Sequence, residues 1–151
     1  METPTQDLVE LPEGKIYKDR AIYVGTFLGG PLVGGYLIAA NFKTLGESDR
    51  VRNTWIITIL ATLVIFGVVL FIPAVAKIPP YLIPIIDASI ASAITRHFQN
   101  ARIKAFIAAE GQAYSWWRVI AITLIGAAVS FAVGFGILYI QQLGTAEAVL
   151  Y

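Results

Sequence analysis

Two stretches of this chain carry no formal charge over more residues than a helix needs to cross a bilayer. Between Arg52 and Lys77 lie 24 uncharged residues, and between Arg118 and Glu147 lie 28. About 18 apolar residues suffice for a transmembrane helix. A third uncharged run of 22 residues separates Arg20 from Lys43. A fourth apolar stretch is interrupted by Pro79, Pro80, Pro84 and Asp87. The medium implied for most of these 151 residues is lipid, and the expected partner is the bilayer itself.

Composition agrees. The chain is 57% hydrophobic and 14% charged, with a mean hydropathy of +0.71, whereas a soluble domain carries about 25% charged residues. The net charge of +1 gives no pointer to nucleic acid. With no cysteine and one histidine, thiol chemistry and a His-based metal site are excluded. No cofactor is expected. Residues 1–20 carry five acids and three bases and read as a flexible polar tail, unlike the basic opening of a signal peptide. The first apolar segment is therefore expected to be retained, and residues 142–151 to form a short tail.

The membrane domain, 21–141, divides into hydrophobic segments at about 21–42, 55–76, 80–97 and 116–141. Backbone polar groups in lipid must be satisfied within the segment, so each is expected to be helical. The fold class is an all-α polytopic bundle with three spanning helices and a broken first segment. That first segment holds five glycines, with Pro31 at its centre. Proline removes one helix hydrogen bond, so the helix is expected to break near Gly30-Pro31. The segment either spans or re-enters on the side it came from. In the third segment Ile86, Ile90, Ile94 and Phe98 mark one helical face, and a non-spanning segment would leave Ile86, Ile90 and Ile94 without a site of burial. That helix should continue through the basic stretch to Glu110 and stop at Gly111. Ser115 is a candidate N-cap for the fourth.

Lysine and arginine choose between topologies, because cytoplasmic loops carry an excess of them. If all four segments span, seven basic residues fall on one side and four on the other. A non-spanning third segment gives eight against three. If the first segment re-enters, ten fall on one side and only Lys77 on the other.

Small residues recur at helix-packing intervals. Gly25 and Gly29, then Gly30 and Gly34, are four apart, and Gly126, Ser130 and Gly134 form a ridge in the last segment. Such spacing lets helix backbones approach closely in lipid. It serves either packing within one chain, the first segment against the last, or an interface with a second copy or another membrane protein. The glycines do not form a nucleotide loop, because no strand precedes them and no Gly-Lys-Ser/Thr follows.

Asp87 is the single ionisable residue inside an apolar segment, and such residues are functional candidates. The alternative is structural. In a helix starting at Pro84, Asp87 would sit in the first turn, favoured by the helix dipole and within reach of Lys77. Arg96, Arg102 and Lys104 form a basic run suited to anionic lipid. Trp55, Trp116 and Trp117 match interfacial belts, and Asn41, Gln99 and Asn100 could pair across helices. No catalytic constellation is recognisable, so an enzyme is not expected. Two functions remain: a non-enzymatic membrane interaction or assembly module, foremost, and a small oligomeric transporter or channel using Asp87 and the Gly30-Pro31 break.

The stretch Gly25-Thr26-Phe27-Leu28-Gly29-Gly30-Pro31-Leu32, with Gly35-Tyr36-Leu37, Asn41-Phe42 and Leu45-Gly46 after it, resembles the opening of a group of small, uncharacterised bacterial inner-membrane proteins. Ile78-Pro79 and Ser115-Trp116 fit the same layout. The resemblance implies a multi-pass protein of the bacterial inner membrane, and it carries no site residues with it.

Overall fold

At Gly30 the chain reverses direction. Gly30 adopts φ 78° and ψ −175°, a backbone conformation open to glycine and costly for residues with a Cβ. Its N–H donates to the Thr26 carbonyl at 2.8 Å, closing helix α1 (Asp19–Gly29). Its own carbonyl accepts from Val33 and Gly34, opening helix α2 (Pro31–Thr44). Pro31 is the first residue of α2, a position where a proline lacks nothing the helix needs.

The computed structural model describes residues 14–148. Beyond α1 and α2 it contains α3 (Ser48–Phe71), a short 3-10 helix (Pro73–Lys77), α4 (Leu82–Phe98), α5 (Asn100–Ala108) and α6 (Trp116–Ala148). A two-residue parallel bridge joins β1 (Lys15–Ile16) to β2 (Gln112–Ala113). The architecture is all-helical, with two helices, α3 and α6, long and apolar enough to cross a membrane.

The arms α1 and α2 lie side by side as an antiparallel hairpin. Tyr17 at one foot meets Asn41 at the other. Halfway up, a Cβ on Gly34 would run into Thr26, and one on Gly25 would come within 2.7 Å of Leu37. Bare backbone at these places lets the arms close. The 21–42 segment is thus no straight spanning helix. At 1.5 Å per residue its arms reach only about 16 and 21 Å, against about 30 Å of hydrocarbon.

The hairpin is the core. Ile22, Val33, Leu37, Ile38 and Phe42 are buried and pack with Tyr17, Ala91 and Val119. The other long helices pack on the hairpin rather than on one another, α3 against α2, and α4 and α6 against α1. Helix α4 turns its small face inward, burying Ala88, Ala91, Ser92 and Thr95. Ile86 and Ile90 lie on its outer side, 56% and 54% exposed. In lipid an outward isoleucine incurs no penalty, while small residues let helices approach. Ile86 and Ile90 point outward, whereas Ile94 is partly buried against the core.

Three boundaries differ from those the sequence suggested. The described part of the polar tail joins the fold. Ile16 is buried with Ile103 and Phe106, and Tyr17 is 1% exposed; residues 1–13 lie outside the described residues. The basic helix after α4 is interrupted at Gln99, and its end comes at Ala108, with Glu110 rather than Gly111 taking a positive φ of 65°. Helix α6 continues to Ala148, through most of the expected C-terminal tail.

Contacts gather the basic residues at one end. Tyr17 bonds Asn41 and Arg118, Asp19 bonds Arg96, and Glu47 pairs with Arg50 and Arg102. Ten of the eleven cations lie at or beside these contacts. Lys77 stands apart, beyond the 24 residues of α3, about 36 Å of helix away.

Candidate binding cavity beneath the hairpin tip

Because the hairpin is short, α3, α4 and α6 run on past its tip with little between them. There the structure leaves a cavity of about 490 Å³. The tip, Phe27 to Pro31, forms its roof. Ile65 and Phe66 of α3, Ile83 and Pro84 of α4, and Phe131, Phe135 and Leu138 of α6 form its walls. The lining is apolar except for Asp87 and the Ser130 hydroxyl.

Helix α4 places Asp87. It begins at Leu82, and its first turn contains no acid. Asp87 therefore sits in the second turn, and the first-turn reading that would have explained it does not hold. Among the described residues its carboxylate makes no hydrogen bond and no ion pair, with Lys77 or any other cation. Asp87 also walls a second cavity of about 130 Å³ between α2, α3 and α4, which passes Gly34 and Thr58 and reaches Thr54. The Thr54 hydroxyl bonds the Arg50 carbonyl at 2.7 Å. One carboxylate thus stands between a space at the hairpin tip and a space leading toward the basic end.

The small residues separate into two groups. Gly25, Gly29, Gly34 and Gly126 are closely packed inside the chain. A Cβ on Gly126 would strike Val33, and one on Gly29 would come within 3.2 Å of the Thr123 carbonyl. Helices α1 and α6 therefore meet at Gly29 and Gly126. Further along the ridge they part. A Cβ on Gly30 would meet only Ser130 at 3.9 Å, and one on Gly134 only Phe66 at 3.8 Å. Ser130 and Gly134 line the cavity instead of closing a helix contact.

The basic candidates also divide. Arg96 donates to Asp19 at 3.0 Å, where Ser92 donates to the other carboxylate oxygen at 2.7 Å. This fixes the start of α1 to α4. Arg102 pairs with Glu47, which Arg50 also holds at 2.7 Å. Lys104 is exposed and makes no ion pair among the described residues. Trp117 is 79% exposed, and Trp55 packs edge-on against Tyr36.

Under the hairpin's feet lies a buried polar knot. Asn41 and Gln99 are fully buried and bonded to each other at 3.1 Å, and Gln99 donates to the Ile38 carbonyl at 2.9 Å. Tyr17 stacks on Tyr114 and accepts a hydrogen bond from Arg118 at 2.9 Å. Burial raises the Tyr17 phenol above its ordinary pKa, against the opposing pull of Arg118. Two amides at the edges of apolar segments were the only sequence signal for this knot. Their pairing depends on a fold-back that brings residue 41 to residue 17.

No protein-family model, no curated protein and no solved structure matches the chain.

Proposed function

We propose that this chain is a multi-pass membrane protein in which α3, α4 and α6 cross the bilayer, while α1 and α2 enter and leave from the cytoplasmic side. The gathering of ten cations at one end supports this orientation, because basic residues accumulate on the cytoplasmic face. With 17 residues, α4 is about 25 Å long and needs the Pro79–Tyr81 approach to complete its crossing. The bacterial inner membrane is the setting in which that charge rule and the resemblance of the first segment meet.

The function this geometry supports best is a small transporter, with Asp87 as its charge-binding residue. One observation carries the reading: Asp87, unpaired among the described residues, lines two neighbouring cavities that both reach Pro31 at the break between α1 and α2. Broken helices beside a mid-membrane charge are the usual construction of a substrate site in transporters. The assembly-module reading loses its first support, since Gly25, Gly29, Gly34 and Gly126 are used for packing within the chain. It keeps another, the broadly exposed apolar faces of α3 and α6, which suit lipid or a second copy.

Proton flux into proteoliposomes, followed with a trapped pH dye, tests the transporter. Flux above that of empty liposomes, lost in Asp87→Asn, is expected. Flux indistinguishable from empty liposomes overturns the transporter and leaves assembly as the surviving reading.

A further inference from the structure

The lining of the larger cavity is selective about what it would hold. Apart from Asp87 and the Ser130 hydroxyl, its side chains are apolar, and four of them are phenylalanines: Phe27, Phe66, Phe131 and Phe135. At the roof, α1 ends where α2 begins. Two helix termini of opposite polarity meet there and largely offset each other. Among the described residues Asp87 is left as the only formal charge facing the space.

Three occupants fit poorly. Calcium takes six to eight oxygen ligands and magnesium keeps several of its waters, and two side chains here bear oxygen. A fatty acid would bring a second carboxylate to Asp87. A neutral acyl chain would leave that carboxylate unpaired in an apolar space.

We propose that this cavity binds a lipophilic organic cation, its onium or ammonium group paired with Asp87 and its apolar body held among the four phenylalanine rings. A ring face attracts a cation as well as apolar surface, so the same walls serve both parts of the ligand. The volume of about 490 Å³ lies within the range of about 300–1,000 Å³ that holds drug-sized molecules. Access is built in, because α3, α4 and α6 pack on the hairpin and not on each other. The space between them opens sideways between the helices, toward lipid in the proposed orientation. This inference rests on the reading of the cavity as the functional site and names its cargo.

Tetraphenylphosphonium and tetraphenylborate share one shape and carry opposite charges. Equilibrium dialysis of each against the purified full-length protein in mild detergent tests the proposal. Saturable binding of the phosphonium and none of the borate is expected. Asp87→Asn should weaken phosphonium binding about ten-fold or more, as loss of a desolvated ion pair does, and Asp87→Glu should keep it. Gly134→Leu leaves Asp87 in place and fills the cavity from α6, where a Cβ meets nothing closer than 3.8 Å; it should abolish binding without loss of thermal stability. Equal binding of both ions, or phosphonium binding unchanged in Asp87→Asn or in Gly134→Leu, overturns it. Asp87-dependent proton flux with no phosphonium binding overturns the cargo and spares the transporter, whereas absence of both overturns both.

Discussion

Asn41 holds Tyr17 by both of its backbone polar groups. The Tyr17 N–H donates to Asn41 Oδ1 at 2.7 Å, and Asn41 Nδ2 donates to the Tyr17 carbonyl at 2.8 Å. The residues are 24 apart in sequence, at the two feet of the α1–α2 hairpin. One side chain thus fastens the point where the chain leaves β1 to the point where α2 ends. Because Asn41 also bonds Gln99, the fastening extends to the junction of α4 and α5.

Replacing Asn41 should loosen the hairpin more than its size suggests. Asn41→Leu removes three buried hydrogen bonds and leaves the Tyr17 N–H without its partner. A loss of about 2–4 kcal/mol is expected, from about 1 kcal/mol per bond plus the orphaned amide. Thermal unfolding in detergent measures it. An unchanged midpoint would mean that the feet are held by something else.

The glycines should differ sharply among themselves. A Cβ on Gly35 would collide with the Thr58 side chain, whereas one on Gly67 meets nothing within 4 Å. Gly35→Ala should therefore cost about 1–3 kcal/mol by forcing α2 and α3 apart. Gly67→Ala should be neutral or stabilising by up to about 1 kcal/mol, as alanine is in a helix. The two melting curves, run side by side, check the internal use of the glycine face; equal effects would contradict it.

Tyr17 sets an alkaline limit. Burial raises its phenol, so between the unfolded pKa of about 10 and the higher folded value the unfolded chain has lost a proton that the folded chain keeps. Its contribution is fully present below about pH 10 and declines above it. Tyr17→Phe should flatten that part of the decline, read as the slope of unfolding free energy against pH in detergent. Parallel slopes for the two proteins would exclude Tyr17 as the cause.

Much of this arrangement could be read from residue order. Pro31 after two glycines marked the break, because a proline at that point lacks the amide a continuous helix needs. The isolation of Lys77 from the other ten cations pointed to a first segment that folds back rather than one that runs straight, and the chain does fold back at Gly30. Long-range consequences were less visible. Ile86 and Ile90 have helical period, but periodicity does not say whether an apolar face meets protein or lipid. Gly134 has the same spacing as Gly126, yet only Gly126 lies beside the hairpin, whose length decides where close packing ends and the cavity begins. Asp87 drew notice as a lone charge. Its standing between two cavities depends on α4 starting at Leu82 and on the turn at Gly30. Arg96, read as a lipid-facing cation, is held by Asp19, 77 residues away.

The side on which the first segment begins and ends bears most directly on this architecture. The chain has no native cysteine, so Lys18→Cys, Lys43→Cys and Lys77→Cys can each be introduced alone at exposed positions. Labelling each with a membrane-impermeant maleimide in intact cells and in inverted vesicles reports its side. Lys18→Cys and Lys43→Cys should react from the same side, and Lys77→Cys from the opposite one. Reaction of positions 18 and 43 from opposite sides would contradict the hairpin and, with it, the cavity beneath its tip.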